Sequence, residues 1–390
     1  MPSGDRLRVA LFTYATQPRG GVLHVLALAE ALHDLGHDVV LYALDNGGPG
    51  FVRAPRCPFV LVPVAGRGAG DSVSFVGNCI DAYVSGWDPA TPPFDIYHAH
   101  DGISGNALAT LVERGMIPHY VRTVHHLDDF GTGELSALQD RSILLASCCL
   151  VVSRVWQNRV ARAYGLEPTL VPNGVDSGRF CPVPPNVRAE LRARLGFGSG
   201  PLFLTIGGIE ARKNSLGSLE ALALVRTTHP EARLVIAGGA SIFTHSAYRR
   251  AFDARTAELG LDGGAVVIAG VLRDEQIVEL VRAAHALVFP SLLEGFGLVV
   301  LEALACATPV VTSAIPPFTE FLTPDTALLV DPRDPAAIAA AMLLVLDPTV
   351  ADDLAVRGPA LARRFTWQAC ADAHVRAYDA LRRNCRTANA

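Results

Sequence analysis

The chain has little to offer a bilayer, a nucleic acid or a disulfide framework. No uninterrupted apolar run reaches the eighteen or so residues that span a membrane, and the opening Met-Pro-Ser-Gly-Asp-Arg-Leu-Arg has no signal-peptide pattern. The expected location is therefore cytoplasmic, with no transmembrane segment, which leaves room for peripheral contact with a membrane surface. Basic residues are not in excess: 33 Lys and Arg stand against 38 Asp and Glu, a net charge of −5. They are also dispersed, so no nucleic-acid partner is expected. Eight cysteines, at 57, 79, 148, 149, 181, 306, 370 and 385, lack any C-x-x-C spacing and lie mostly in apolar segments, where a reduced thiol acts as a small hydrophobe. No metal site is expected either. His98-Ala99-His100 is the closest approach to ligand spacing, and no zinc-like partner cluster accompanies it. Gly295-Phe296-Gly297 runs on to Val300 without the third glycine of G-x-G-x-x-G, which argues against a Rossmann dehydrogenase. No short repeat is present, and the sole low-complexity stretch is the terminal Thr-Ala-Asn-Ala.

What the sequence does contain is an alternation of short apolar runs and helical patterns over 390 residues, half of them hydrophobic and 18% charged, enough for two domains. Arg6 to Thr13 reads as a strand, Gln17 to Gly21 as a glycine turn, Val22 to Leu35 as a helix with Leu23, Leu26, Leu28 and Leu32 on its apolar face, and Asp38 to Leu44 as a second strand. This is a βαβ opening. Gly20 and Gly21 remove Cβ atoms where strand hands over to helix, which suits either a ligand approach or an ordinary tight turn. Glycine-rich loops follow at Asn46 to Pro49 and Ala65 to Asp71. Further strands end in Tyr-His-Ala-His-Asp at 97–101 and in His125-His126 before a polar Leu-Asp-Asp-Phe-Gly-Thr-Gly loop. Residues at the carboxyl ends of parallel strands line the ligand crevice of an open α/β sheet, so His100 and Asp101 are placed to reach it, whereas His98 reads as a structural histidine. Pro182 to Pro185 marks a linker, dividing the chain into 1–181 and 182–366. The second segment repeats the plan, with strands at Leu202 to Ile206, Arg233 to Ala237 and Val266 to Ala269. Alternation of this kind sets the α/β class and leaves the chemistry open.

The chemistry is concentrated between Leu287 and Val311. An apolar strand, Leu287 to Phe289, ends at Pro290, and a polar, glycine-bearing turn leads into an apolar helix near Gly297. The leading N–H groups of Gly297, Leu298 and Val299 carry the positive end of the helix dipole, which suits a diphosphate. Glu294 precedes this cradle and Glu302 follows eight positions later, about 12 Å away on a continuous helix. One carboxylate then reaches each side of a bound diphosphate.

Glu294-Gly-Phe-Gly-Leu-Val-Val-Leu-Glu302 resembles the E-x7-E motif of retaining GT-B glycosyltransferases, in particular family 4 (glycosyl transferases group 1). Gly20-Gly21, Thr123-Val124-His125, Pro172-Asn173-Gly174-Val175-Asp176 and the Lys213 loop occur in the order and at the separations of that family, so the resemblance covers nearly the whole chain. It implies two Rossmann-like α/β domains facing a central cleft: an acceptor-side domain, 1–181, joined by the C-terminal helix 367–390, and a donor domain, 182–366. It implies transfer of a sugar, with retention, from a nucleotide-diphosphate donor to an unknown acceptor hydroxyl, with no cofactor. Glu294, Lys213 and His125 take the catalytic positions. Gly20, Gly21, Arg212, Asn173, Gly297, Leu298, Val299 and Glu302 take the donor-binding ones. An Asx-type turn would account for Asn173 and Asp176 equally well. The sequence departs from the family where an arginine stands five or six residues before the lysine, since Gly208 occupies that place. Either Arg212 supplies the missing charge or the site runs on one cation. No D-x-D triplet is present to clamp a divalent ion, so the diphosphate charge is expected to fall to Lys213, Arg212 and the helix N-terminus. The alternatives are a nucleotide-sugar epimerase or glycosyl phosphorylase on the same fold, or a non-catalytic nucleotide-sugar-binding protein.

Overall fold

Short runs of Val, Ile, Leu and Phe form strands, the central ones buried on both faces, the pattern of a parallel sheet covered by helices on each side. A computed structural model describes residues 6–45, 47, 50–64, 71–130, 133–239 and 246–388. Parts of the expected loops at 46–49, 65–71 and 127–133 and the last two residues lie outside the described residues. The chain divides into two compact units, Met1–Asn173 with Trp367–Ala390, and Gly174–Thr366.

The first unit runs β1 (Arg8–Thr13), α1 (Gly20–Asp34), β2 (Asp38–Asp45), β3 (Phe59–Pro63), α2 (Ser72–Ser85), β4 (Ile96–Ala99) and α3 (Gly102–Glu113). It continues with β5 (Val121–Val124), α4 (Gly133–Leu144), β6 (Cys148–Val151), α5 (Arg154–Tyr164) and β7 (Thr169–Leu170). Its seven strands are ordered β3-β2-β1-β4-β5-β6-β7 and pair in parallel. The order reverses between β1 and β4, the topological switch point at which open α/β sheets bind ligands beyond the carboxyl ends of their strands.

Following the same plan, the second unit contains α6 (Pro185–Arg194), β8 (Leu202–Ile206), α7 (Ser215–Arg226), β9 (Arg233–Ala237), α8 (Ser246–Glu258), β10 (Val266–Gly270) and α9 (Asp274–Ala283). Then come β11 (Ala286–Phe289), α10 (Leu298–Ala305), β12 (Val310–Ser313), β13 (Leu328–Val330), α11 (Pro335–Leu344) and α12 (Pro348–Ala362). The six strands are ordered β10-β9-β8-β11-β12-β13, so this sheet reverses between β8 and β11. Glu294 follows β11 and Lys213 follows β8, which brings the two loops that carry them to one switch point.

The boundary between the units differs from the sequence reading. The proline cluster places residues 174–181 in the first domain, but they pack in the second unit. Val175 donates its N–H to Phe365 O at 3.0 Å, and Arg282 donates from Nε to Cys181 O at 3.0 Å. The prolines instead start a helix, with Pro184 as the N-cap of α6 and Pro185 at its first position, where no N–H is needed.

The final helix, α13 (Trp367–Ala388), belongs to the first unit. Its apolar stripe, Cys370, Ala371, Ala377, Tyr378 and Leu381, joins the core formed by Leu7, Val9, Leu11 and the inner side of α1. Tyr378 also carries a polar group into that core, pairing its hydroxyl with His98 Nδ1 at 2.7 Å, while His98 Nε2 meets Thr123 Oγ1 at 2.7 Å. His98 is fully buried with both nitrogens satisfied, the structural role expected of it. Tyr378→Phe leaves a buried ring nitrogen unpartnered and is expected to lower stability by about 1 to 3 kcal/mol, read as a shift in the urea midpoint with the m-value unchanged.

Candidate active site

In the second unit, β8 ends at Ile206 and the chain turns through Gly207 and Gly208, whose φ angles are 132° and 77°. A Cβ on Gly208 would lie 2.4 Å from Gly239 O, because the loops after β8 and β9 touch backbone to backbone. That contact explains why no arginine stands here. Arg212 lies in the turn before Asn214, the left-handed N-cap of α7.

Arg212 and Lys213 converge on one carboxylate. Lys213 Nζ lies 2.6 Å from Glu294 Oε1, and Arg212 Nη1 lies 3.0 Å from the same oxygen. Leu292 donates its N–H to Arg212 O at 2.8 Å, tying the loop after β11 to the loop after β8. Glu294 is 7% exposed and Lys213 9%. Burial alone would push the Glu294 carboxyl up, but the two cations outweigh it and hold it below the ordinary glutamate value. The Lys213 ammonium also sits 4.4 Å from the Phe289 ring centroid, a cation–π contact on its apolar side.

Helix α10 begins directly beyond this cluster, with Gly297 as N-cap at φ 95° and no side chain capping it. A Cβ on Gly297 would meet Phe318 Cε1 at 2.5 Å, so glycine is required both for the left-handed backbone and for the packing. Phe296 anchors the turn, stacking on Phe321 at 5.2 Å and meeting Phe365 edge-on at 6.1 Å. The stretch from Glu294 to Gly297 is therefore a turn, and the eight-residue spacing to Glu302 is helical only from Leu298 onward. Glu302 sits one turn into α10, apart from the cations that hold Glu294. Its surroundings were not foreseen from the sequence: Arg179, ion-paired with Asp274, is the nearby charge that partly offsets its burial. Burial raises the Glu302 carboxyl from 4.5 to about 7, with Arg179 opposing and Asp274 adding to the rise.

In the first unit, Gly20 and Gly21 are the first residues of α1, not a turn before it. A Cβ on Gly20 would meet nothing within 4 Å, whereas one on Gly21 would lie 3.6 Å from His125 Cδ2. These glycines thus leave space beside the end of β5, and neither has a positive φ. His125 packs edge-on against His24 at 4.7 Å, and His100 lies 5.2 Å from His24. Burial lowers all three imidazoles, His24 to about 3, and keeps them neutral. Asn173 is buried and pairs through Oδ1 with His24 Nδ1 at 2.8 Å, so its side chain is engaged inside the first unit. The turn beyond it is closed by Asp176, which accepts from Gly178 N and Arg179 N at 3.0 and 3.2 Å. Asp101, expected at the crevice, caps α3 by accepting from Ser104 N at 2.8 Å and holds Tyr14 N at 2.9 Å. His126 turns away to Asp128 at 3.2 Å. His24 escaped the sequence reading, although a lone histidine inside the apolar pattern of α1 was the available signal.

Residues 18–179 match the family described as Glycosyltransferase Family 4, and residues 187–355 match Glycosyl transferases group 1. A D-inositol 3-phosphate glycosyltransferase from Xylanimonas cellulosilytica is 30% identical over 97% of this chain and 98% of its own length. The chain belongs to glycosyltransferase family 4. Two solved structures share the two-domain Rossmann-like fold. Sucrose-phosphate synthase from Thermosynechococcus elongatus superposes with a TM-score of 0.78 at 24% identity, covering 96% of this chain and 99% of that one. HepE from Anabaena, in complex with UDP-glucose, gives 0.76 at 17% identity, covering 98% and 100%. In this family 4 glycosyltransferase, Glu294 lies on the loop after β11 and Glu302 on the helix that follows it. Among the described residues, no helix is long and apolar enough to cross a membrane.

The raised Glu302 carboxyl gives the fold a pH dependence of known sign. Between about pH 4.5 and 7 the folded chain holds a proton at Glu302 that the unfolded chain releases. This contribution is full below pH 4.5 and is lost as pH rises through 7. Wild type is expected to lose about 1 to 3 kcal/mol more stability than Glu302→Gln between pH 5 and pH 8 in urea titrations.

Proposed function

We propose that this glycosyltransferase moves a sugar from a nucleotide-diphosphate donor to an acceptor hydroxyl with retention of anomeric configuration, and that no divalent ion is needed on the donor. The observation that carries the reading is the convergence of Lys213 and Arg212 on Glu294 at the N-terminus of α10. Both groups that a departing diphosphate requires, side-chain cations and a helix dipole, lie at the switch point of one sheet. Before donor arrives, Glu294 holds the cations in place. On binding, the diphosphate shares them, and Glu294 is released toward the hydroxyls of the sugar.

Arg212 takes the part of the arginine displaced by the backbone contact at Gly208. Glu302 serves the ribose diol, which as a hydrogen-bond donor favours the ionised carboxylate. The acceptor hydroxyl attacks on the face that the diphosphate leaves, and a leaving phosphate oxygen takes its proton. From the first unit, we assign His125 to the neighbourhood of the transferred sugar and Gly20 and Gly21 to the space a donor phosphate requires. HepE was captured with UDP-glucose and the Xylanimonas relative is named for D-inositol 3-phosphate, so these are the first donor and acceptor to try.

Lys213→Ala is expected to lower kcat more than it raises KM, because charge on the leaving diphosphate grows toward the transition state. A loss on the order of 10²-fold is expected, comparable with removal of one preorganised donor. Arg212→Ala should follow in the same direction, and full turnover in the double variant would overturn the charge assignment. Proton NMR of the first product formed should show the anomeric configuration of the donor sugar, at the same rate with and without added magnesium or manganese. An inverted anomer or a rate that depends on added magnesium would overturn the reading.

A further inference from the structure

The three histidines on the first unit use only part of their hydrogen-bonding capacity. His24 Nε2, both nitrogens of His100 and His125 Nε2 are buried without a hydrogen-bond partner. One nitrogen from each ring can be chosen so that the three lie within 4.8 Å of one another. Buried polar atoms are almost always satisfied, and several lone pairs gathered in one place call for an electrophile rather than for each other. We propose that His24, His100 and His125 bind one divalent transition-metal ion of the zinc class.

The donor set fits that class. Three imidazoles with no carboxylate suit zinc, cobalt, nickel or copper and do not suit magnesium or calcium, which take oxygen ligands. Nitrogens bound at about 2.0–2.1 Å in a tetrahedral site stand roughly 3.4 Å apart, so closure asks for about an ångström of ring movement. The rings are already neutral, and no proton has to be displaced. His24 has the outer partner that a metal-bound imidazole usually has. Its Nδ1 pairs with Asn173 Oδ1, which sets the tautomer and leaves the lone pair on Nε2. Ring contact with His98 at 4.0 Å holds His100.

The ligands come from α1 and from the ends of β4 and β5. A bound ion would therefore join the helix that follows β1 to β4, the strand across the switch point, and to β5 beyond it. It would also reserve His125 Nε2 for the metal. The proposal does not rest on the transfer reaction and is read from metal content alone.

The test uses the full chain without a polyhistidine tag, stripped with a chelator and titrated with Zn²⁺ against a chromophoric competitor. One Zn²⁺ per chain is expected, with a thermal midpoint that rises with Zn²⁺ and not with Mg²⁺. His24→Gln and His100→Gln should each weaken binding at least tenfold while keeping the wild-type circular dichroism, and the exposed His33→Gln should leave it unchanged. If a cluster variant does not fold, Co²⁺ bound to wild type decides, because tetrahedral nitrogen ligation gives strong visible absorption and surface octahedral ligation gives little. Stripped wild type that takes up no Zn²⁺, folded cluster variants that bind as well as wild type, or a weak octahedral Co²⁺ spectrum would each overturn the site and leave a solvated cluster of neutral histidines.

Discussion

A carboxylate that is 7% exposed stays ionised inside a protein only when cations meet it, and Glu294 is met by two. Much of the second unit follows from that requirement. The cations come from the loop after β8, so that loop must run beside the loop after β11, and the hydrogen bond from Leu292 to Arg212 fixes the approach. The loop after β8 is pressed against the loop after β9, which leaves room for glycine alone at 208 and 238, while a Cβ at 207 would meet the Lys213 side chain at 2.8 Å. Arginine at position 208 is sterically barred, and a guanidinium reaches Glu294 from Arg212. Removing either cation would leave a buried carboxylate undercompensated, which is costlier than never having had the cluster.

The two units use one topological device for different chemistry. Each is a parallel sheet whose order reverses at its first strand, and each gathers polar side chains beyond the carboxyl ends of the strands on either side of the reversal. In the second unit these are charged groups and a helix N-terminus, which suits an anion. In the first they are neutral imidazoles with unpartnered nitrogens, which suits an electrophile. The difference lies in the residues at strand ends, since the sheets themselves are alike.

Strand and helix positions were readable because parallel strands are continuous apolar runs and their helices have a different period. Gly297 was readable as the start of a helix after a glycine-bearing turn, whereas its φ of 95° and its place against Phe318 come from the structure. Side-chain partnerships were harder to foresee. Arg179 and Asp274 are 95 residues apart and carry no local sign that they pair near Glu302. Asp101 sat at a strand end where a ligand-facing role was expected, yet its carboxylate is taken up by the N–H groups of Ser104 and Tyr14. The helix-capping reading of an aspartate just before a helix competes with the crevice reading, and local hydrogen bonding decided it.

By itself, the sequence determined the α/β class and the repeated strand-helix plan, and it singled out Glu294, Glu302, Lys213 and His125 as candidates. These depend on residue period, turn chemistry and short-range spacing, all of which are properties of neighbours along the chain. Tertiary structure alone decided that Arg212 joins Lys213 on Glu294, that Gly208 excludes a side chain, that residues 174–181 pack with the second unit, and that His24 meets His100 and His125. Each of these is a contact between segments that the chain separates and the sheet order reunites. Which loops meet at a switch point follows from how strands are ordered in space, and no local pattern of residues encodes that order.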